Sequence, residues 1–149
     1  WIGLVGSEMC IRDRSWAEEI GGIEALLKRV DTSFAHFMDW VGASPHFEVL
    51  ARDPATISPT ALCLVISDDW FAVQPDEVQE GVVKSMLALL EAEDVAVDIN
   101  AYRDAPMGLR IWGGPTVDPE DIASLLPWLD WAYETVRADL QDGSPHGDG

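Results

Sequence analysis

The chain has 149 residues, of which 48% are apolar and 24% charged, so it can form one globular domain with its own core. Its 27 acidic residues outnumber 9 basic ones, and the net charge of -18 repels phosphate backbones and anionic lipids. We therefore exclude nucleic acid and membrane surfaces as partners. No apolar stretch approaches the roughly 20 residues of a membrane span and no secretory leader is recognisable, so we expect a cytoplasmic protein.

The first 14 residues, WIGLVGSEMCIRDR, have no helical or strand period and precede a helix-start signal. The part LVGSEMCIRDR resembles a translated sequencing adapter, which predicts that residues 1–14 are a non-native segment. The alternative is a native strand or loop that enters from a missing upstream region. We predict a domain over residues 15–140 and a disordered tail over residues 141–149, which are polar and rich in glycine.

Two helices are predicted before the first strand. Ser15 and Glu18 match the capping box, in which two side chains satisfy unpaired backbone N–H groups at a helix start. Gly21 and Gly22 should break this helix. Residues 23–41 then carry apolar side chains three and four positions apart, which predicts a long helix with one buried face.

Four strands are predicted in the rest of the chain, over residues 47–50, 60–66, 95–99 and 109–112. The second contains a nearly continuous apolar run, which is typical of a strand buried on both faces. Asp76 and Gln79 should cap a helix between the two strand pairs, and Asp118 with Pro119 should start the last helix. Pro127 should kink or restart that helix. This order predicts a layered α+β domain with a mostly antiparallel sheet covered by helices.

Cations are scarce, so their positions are informative. Those on the polar faces of predicted helices are expected to be solvated surface charges: Lys28, Arg29, Lys84 and Arg137. Arg110 differs because it lies inside the fourth strand, where burying an arginine is costly unless an anion meets it. A guanidinium held on a strand suits a carboxylate ligand, and a salt bridge to Asp98 or Asp104 is an equal alternative.

No residue pattern supplies a catalytic centre or a metal site. His36, His46 and His146 lack metal-ligand spacing, and each is expected to be structural or exposed. No serine or cysteine lies in a nucleophile-elbow pattern. The two lysines, Lys28 and Lys84, are predicted on helix surfaces, whereas a Schiff-base lysine needs a dry pocket.

Residues 88–134, ALLEAEDVAVDINAYRDAPMGLRIWGGPTVDPEDIASLLPWLDWAYE, resemble the end of the bacterial phosphoserine aminotransferases. The GLRIW strand and the PWLDWA helix are typical of the proteobacterial branch. WAEEIGGIEALLKR and the ARDPAT loop before ALCLVI are similar too, so the resemblance spans residues 15 to about 138. It implies the carboxy-terminal small domain of a fold-type I, class-V-like transferase, whose missing large domain holds pyridoxal 5'-phosphate.

The resemblance also implies an activity and a site. The parent would be a homodimer that transfers an amino group between glutamate and 3-phosphohydroxypyruvate in serine biosynthesis, with pyridoxine biosynthesis as a second pathway. Arg110 matches the family's substrate-carboxylate arginine, and Arg103 matches a basic residue near the substrate phosphate. Ile57 and Pro59 depart from the basic residue and asparagine common in relatives. No catalytic residue is implied in this chain, which is expected to be inactive alone.

Two alternatives remain at this point. Another class V aminotransferase, such as the alanine-glyoxylate type, would use the same carboxylate arginine but would not need a second cation at Arg103. A stand-alone α+β module could instead bind a small dianion through Arg103 and Arg110.

Overall fold

The computed structural model describes the backbone of residues 3–101 and 106–143 and, within these ranges, the side chains from residue 11 onward. This part of the chain forms an α+β domain, as predicted. Its elements are α1 (Gly3–Glu19), α2 (Gly22–Ala43), β1 (Phe47–Val49), β2 (Ala61–Ile66), α3 (Asp69–Ala72), α4 (Asp76–Ala92), β3 (Leu109–Trp112) and α5 (Pro119–Gln141). None of these helices combines the length and the apolar character that crossing a membrane requires.

The sheet is antiparallel, with β2 in the centre between β1 and β3. Along β2 the buried residues Leu62, Leu64 and Ile66 alternate with half-buried ones. The buried set joins one hydrophobic core with residues of α2, α4 and α5, and α5 packs against both other helices. The prediction that β2 is buried on both faces is therefore wrong. Helices cover one face of the sheet, and we call the other, which carries the half-buried residues, the open face.

The strand predicted over residues 95–99 is absent from the described structure. α4 ends in a Schellman motif, in which the N–H groups of Asp94 and Val95 donate to the carbonyls of Glu91 and Leu90 at 3.0 and 2.9 Å. Asp94 and Asp98 have φ values of 56° and 57°, so the chain turns twice and cannot stay extended. Among the residues described here, a single bridge, from Asn100 to Leu109, extends the sheet.

The helix start predicted at Ser15 is also wrong, because α1 runs from Gly3 to Glu19 without a break. Glu18 forms a 2.9 Å ion pair with Arg14, one helical turn earlier, and so stabilises a continuous helix. The predicted break at Gly21 is confirmed, since Gly21 has a left-handed φ of 115°. The non-native origin of residues 1–14 stays a prediction.

The two later helices begin where predicted, but their capping differs. Pro75 precedes α4, and the Gln79 side chain donates to the carbonyls of Phe71 and Gln74 at 3.2 and 3.0 Å instead of capping α4. α5 starts at Pro119 and continues through Pro127, so the predicted restart is wrong. Buried side chains on both sides of Pro127 hold α5 against the core despite the missing N–H. α5 ends at Gln141, and residues 144–149 of the predicted tail lie outside the described part.

Candidate functional site

Arg110 lies in the middle of β3, on the open face of the sheet. Its neighbours Leu109 and Ile111 are each 2% exposed and point into the core, so the alternation of the strand places Arg110 on the opposite side. Its backbone N–H donates to the Ile99 carbonyl at 2.8 Å, and Cys63 on β2 is its cross-strand partner. The backbone that carries the guanidinium is thus fixed on both sides.

A row of three side chains crosses the open face at this level. Leu50 follows β1, and its N–H donates to the Cys63 carbonyl at 3.0 Å, which extends the ladder by one residue. Directly opposed residues in an antiparallel pair share a face, with Cβ atoms about 5 Å apart. Leu50, Cys63 and Arg110 therefore lie side by side across the sheet.

Glycine permits the close approach of the segment that leads into β3. A Cβ on Gly108 would lie 2.0 Å from the Leu64 carbonyl oxygen, well inside the contact distance of real atoms. The chain before β3 can therefore approach the backbone of β2 closely, and Arg110 follows two residues later. Such an arrangement can hold a planar guanidinium in place for a carboxylate.

Arg103, the second predicted substrate residue, lies outside the described residues, as does Asp104. The structure therefore does not test the pairing of Arg103 with Arg110 or the alternative salt bridge to Asp104. Arg110 is placed in its predicted strand, and its role as a ligand stays a prediction.

Two of the four expected surface cations make tertiary contacts instead. Arg29 donates to the Pro115 carbonyl at 2.8 Å and forms an ion pair with Asp118, which connects α2 to the start of α5. Arg137 forms a 2.9 Å ion pair with Asp68, so it too is a structural residue. Because the partners are 89 and 69 positions apart, no local pattern could reveal these pairs.

Asp68 is the centre of a polar cluster that sequence reasoning missed. Its carboxylate accepts from the N–H groups of Trp70 and Phe71 at 2.9 and 3.3 Å, caps α3 and lies 3.4 Å from the buried His46 ring. Burial raises the pKa of Asp68, but the neighbouring Tyr133 hydroxyl, hydrogen bonds from the two backbone N–H groups and the charge of Arg137 outweigh this effect and lower the pKa. The only local signal was an aspartate two residues after the end of β2.

Tyr133 completes this cluster on α5. The side chain is fully buried, and its pKa is raised by burial and by the neighbouring negative charge of Asp68. The His46 ring packs at a tilt against the Tyr133 ring, with centroids 4.9 Å apart, and its Nε2 lies 3.2 Å from Glu134. These groups connect the end of β2 to α5, which is a structural role, and His46 is structural as predicted.

The described residues do not fit a Schiff-base coenzyme. Lys84 is solvent-exposed, with its side chain 70% accessible and paired with Glu80 at 2.7 Å, and Lys28 is also exposed. Neither lies in the dry pocket that a Schiff-base lysine needs. Within the same residues, no three His, Cys, Asp or Glu side chains are grouped to hold a metal ion.

Comparison with known proteins identifies relatives of the chain. No protein-family model matches it. Over 134 residues, 90% of its length, it is 34% identical to the phosphoserine aminotransferases of Methanosarcina mazei and Methanosarcina barkeri, and it covers 34% of each. A putative phosphoserine aminotransferase of a Mycobacterium species is 26% identical over 89% of the chain. The chain thus spans about a third of the length of the curated relatives it matches, and it is similar to phosphoserine aminotransferases over 90% of its own length.

Proposed function

We propose that this chain is the substrate-carboxylate-binding small domain of a phosphoserine aminotransferase. The similarity to proteins of that name over 90% of the chain supports the family, and the α+β fold agrees with it. The parent would transfer an amino group between glutamate and 3-phosphohydroxypyruvate in serine biosynthesis. The coenzyme pyridoxal 5'-phosphate and the lysine that binds it would belong to the part of the parent outside this chain. The parent would act as a cytoplasmic homodimer.

The position of Arg110 is the observation that carries this proposal. In a chain of net charge -18, a half-buried cation on a fixed strand is well suited to attract and orient an anionic substrate. Two parallel N–H groups of the guanidinium match the two oxygens of a carboxylate. The open face of the sheet is where a large domain would bring the reacting centre to Arg110. Fixed positioning of this kind lowers the barrier by avoiding loss of rotational freedom.

The test is a chimera that joins the remaining two thirds of the Methanosarcina mazei relative to this chain. We expect it to transaminate 3-phosphohydroxypyruvate, and Arg110→Ala should lower kcat/KM by about 30-fold or more, as expected for loss of one partner of a buried charge pair. Arg110→Lys should recover only part of the activity, because an ammonium group cannot bind both oxygens in a plane. The matched control is Arg14→Ala on α1, which should leave kcat/KM unchanged.

Arg103 is proposed as the cation for the substrate phosphate, and the same chimera tests it. Arg103→Ala should lower kcat/KM for 3-phosphohydroxypyruvate but not for 3-hydroxypyruvate, whereas Arg110→Ala should lower both. Equal activity of the intact chimera on both substrates would favour a non-phosphorylated substrate class. A chimera that binds coenzyme and keeps full activity without Arg110 would contradict the site assignment.

A further inference from the structure

A preformed pocket of about 300 Å³ lies on the open face of the sheet. Its floor is formed by Leu50, Ala61 and Cys63, and the loop between β1 and β2 supplies the walls, including Ile57 and Ser58. This loop contains a single 3₁₀ turn, Pro54–Thr56, which is capped by the Asp53 carboxylate at 3.0 Å from the Ala55 N–H. The walls are therefore held by local hydrogen bonds before any ligand arrives.

The lining of the pocket favours an apolar guest. Among the described residues that line it, none is charged. Its two hydroxyl groups already have partners within the chain: Thr56 donates to the Asp53 carbonyl at 2.8 Å, and Ser58 accepts from the Ala61 N–H at 3.1 Å. A phosphate or a second carboxylate would find no cation among these described residues and would lose its hydration. An aliphatic group would instead displace water from apolar walls.

The pocket and Arg110 are neighbours on the sheet. Cys63, in the floor, is the direct cross-strand partner of Arg110, so the two side chains share the open face about 5 Å apart at Cβ. A ligand with a carboxylate and a short aliphatic group could contact both at once. We propose that the pocket is a side-chain subsite for short branched aliphatic carboxylic acids, with the carboxylate on Arg110 and the alkyl group over Cys63 and Ala61.

This inference rests on the proposed role of Arg110 and extends it to substrate class. In the parent enzyme, a branched aliphatic 2-oxo or 2-amino acid would bind through the same carboxylate contact as the phosphorylated substrate. The alkyl group would enter the pocket instead of reaching Arg103. The pocket volume, at the lower end of the range for small-molecule sites, limits the guest to a short chain.

The experiment uses Cys63 as a reporter in the 149-residue chain with Cys10→Ser, so that one thiol remains. The rate of alkylation of Cys63 by iodoacetamide is measured by mass spectrometry with added 4-methylpentanoate, 4-methylpentanamide or acetate. We expect 4-methylpentanoate to slow alkylation by roughly tenfold at about ten times its dissociation constant. The amide lacks the charge and acetate lacks the alkyl group, so both should protect far less.

The three compounds also define the outcomes that overturn the inference. Equal protection by 4-methylpentanoate and 4-methylpentanamide would show that Arg110 does not bind the carboxylate. Equal protection by acetate would show that the alkyl group does not bind in the pocket. A Cys63 that reacts only in the unfolded chain would mean that the pocket is closed. Arg110→Gln and Ala61→Leu should each abolish the selective protection, with the circular dichroism spectrum as a check of folding.

The assay contains no coenzyme and measures no transamination, so its result separates the two proposals. Selective protection in a chain whose chimera is inactive would contradict the proposed function alone. An active chimera without selective protection would contradict the subsite alone.

Discussion

At the scale of single residues, Asp68 joins three parts of the chain. Its carboxylate caps α3, pairs with Arg137 of α5 and lies beside His46, which precedes β1. Only 12% of its side chain is exposed, so these partners, rather than water, stabilise its negative charge. Protonating or removing the carboxylate should therefore weaken the whole cluster.

Asp68→Asn should lower the free energy of unfolding at pH 7 by about 1–3 kcal/mol, because buried donors lose a charged acceptor. The folded state lowers the pKa of Asp68, so its stabilising contribution is complete above the ordinary aspartate pKa and disappears as pH falls through the lower folded-state value. Urea unfolding from pH 7 to pH 2 should show a difference between wild type and variant that is constant above about pH 5 and shrinks below about pH 4. A difference that grows on acidification would contradict this assignment.

The neighbouring Asp69→Asn is the matched control. Asp69 is exposed, so its replacement should change the free energy of unfolding by less than about 0.5 kcal/mol.

At the scale of elements, patterns that are local in sequence predicted the structure well. β3 spans its predicted residues 109–112 because glycines lie on both sides of it, and α5 starts at the predicted Asp118–Pro119 signal. The prediction of a strand over 95–99 failed because Asp94 and Asp98 adopt the left-handed backbone conformation. Aspartate tolerates this conformation, but an aspartate in the sequence does not predict it. The strand position of Arg110 followed from its apolar neighbours, whereas the pocket beside it forms only when the loop folds over β2.

The Schellman motif at the end of α4 gives an element-scale prediction. Asp94 occupies the left-handed position that glycine prefers, with φ 56°. Asp94→Gly should therefore raise the free energy of unfolding by about 0.5–1 kcal/mol, as measured by chemical denaturation. Asp142→Gly is the matched control at the end of α5: its φ is -81°, so glycine gains nothing and should be neutral or destabilising. Stabilisation by both variants to the same degree would mean that the removed charge, and not the backbone, is responsible.

At the scale of the whole molecule, the net charge of -18 opposes folding through self-repulsion. Raising NaCl from about 0.01 to about 0.5 M shortens the screening length severalfold, so Tm should rise by several degrees. Differential scanning calorimetry measures the shift. Choline chloride at equal ionic strength is the control for screening: a Tm increase with NaCl only would indicate specific sodium binding, and a decrease with both salts would contradict the repulsion argument.

The packing of α5 against both α2 and α4 has a consequence for biosynthesis. A ribosome makes α2 and α4 first, so the faces of these helices that pack against α5 stay uncovered until α5 emerges. During that interval the nascent chain exposes its future core to water and to other polypeptides. The chain should then be a ligand for holding chaperones, and translational pausing before α5 would lengthen that exposure.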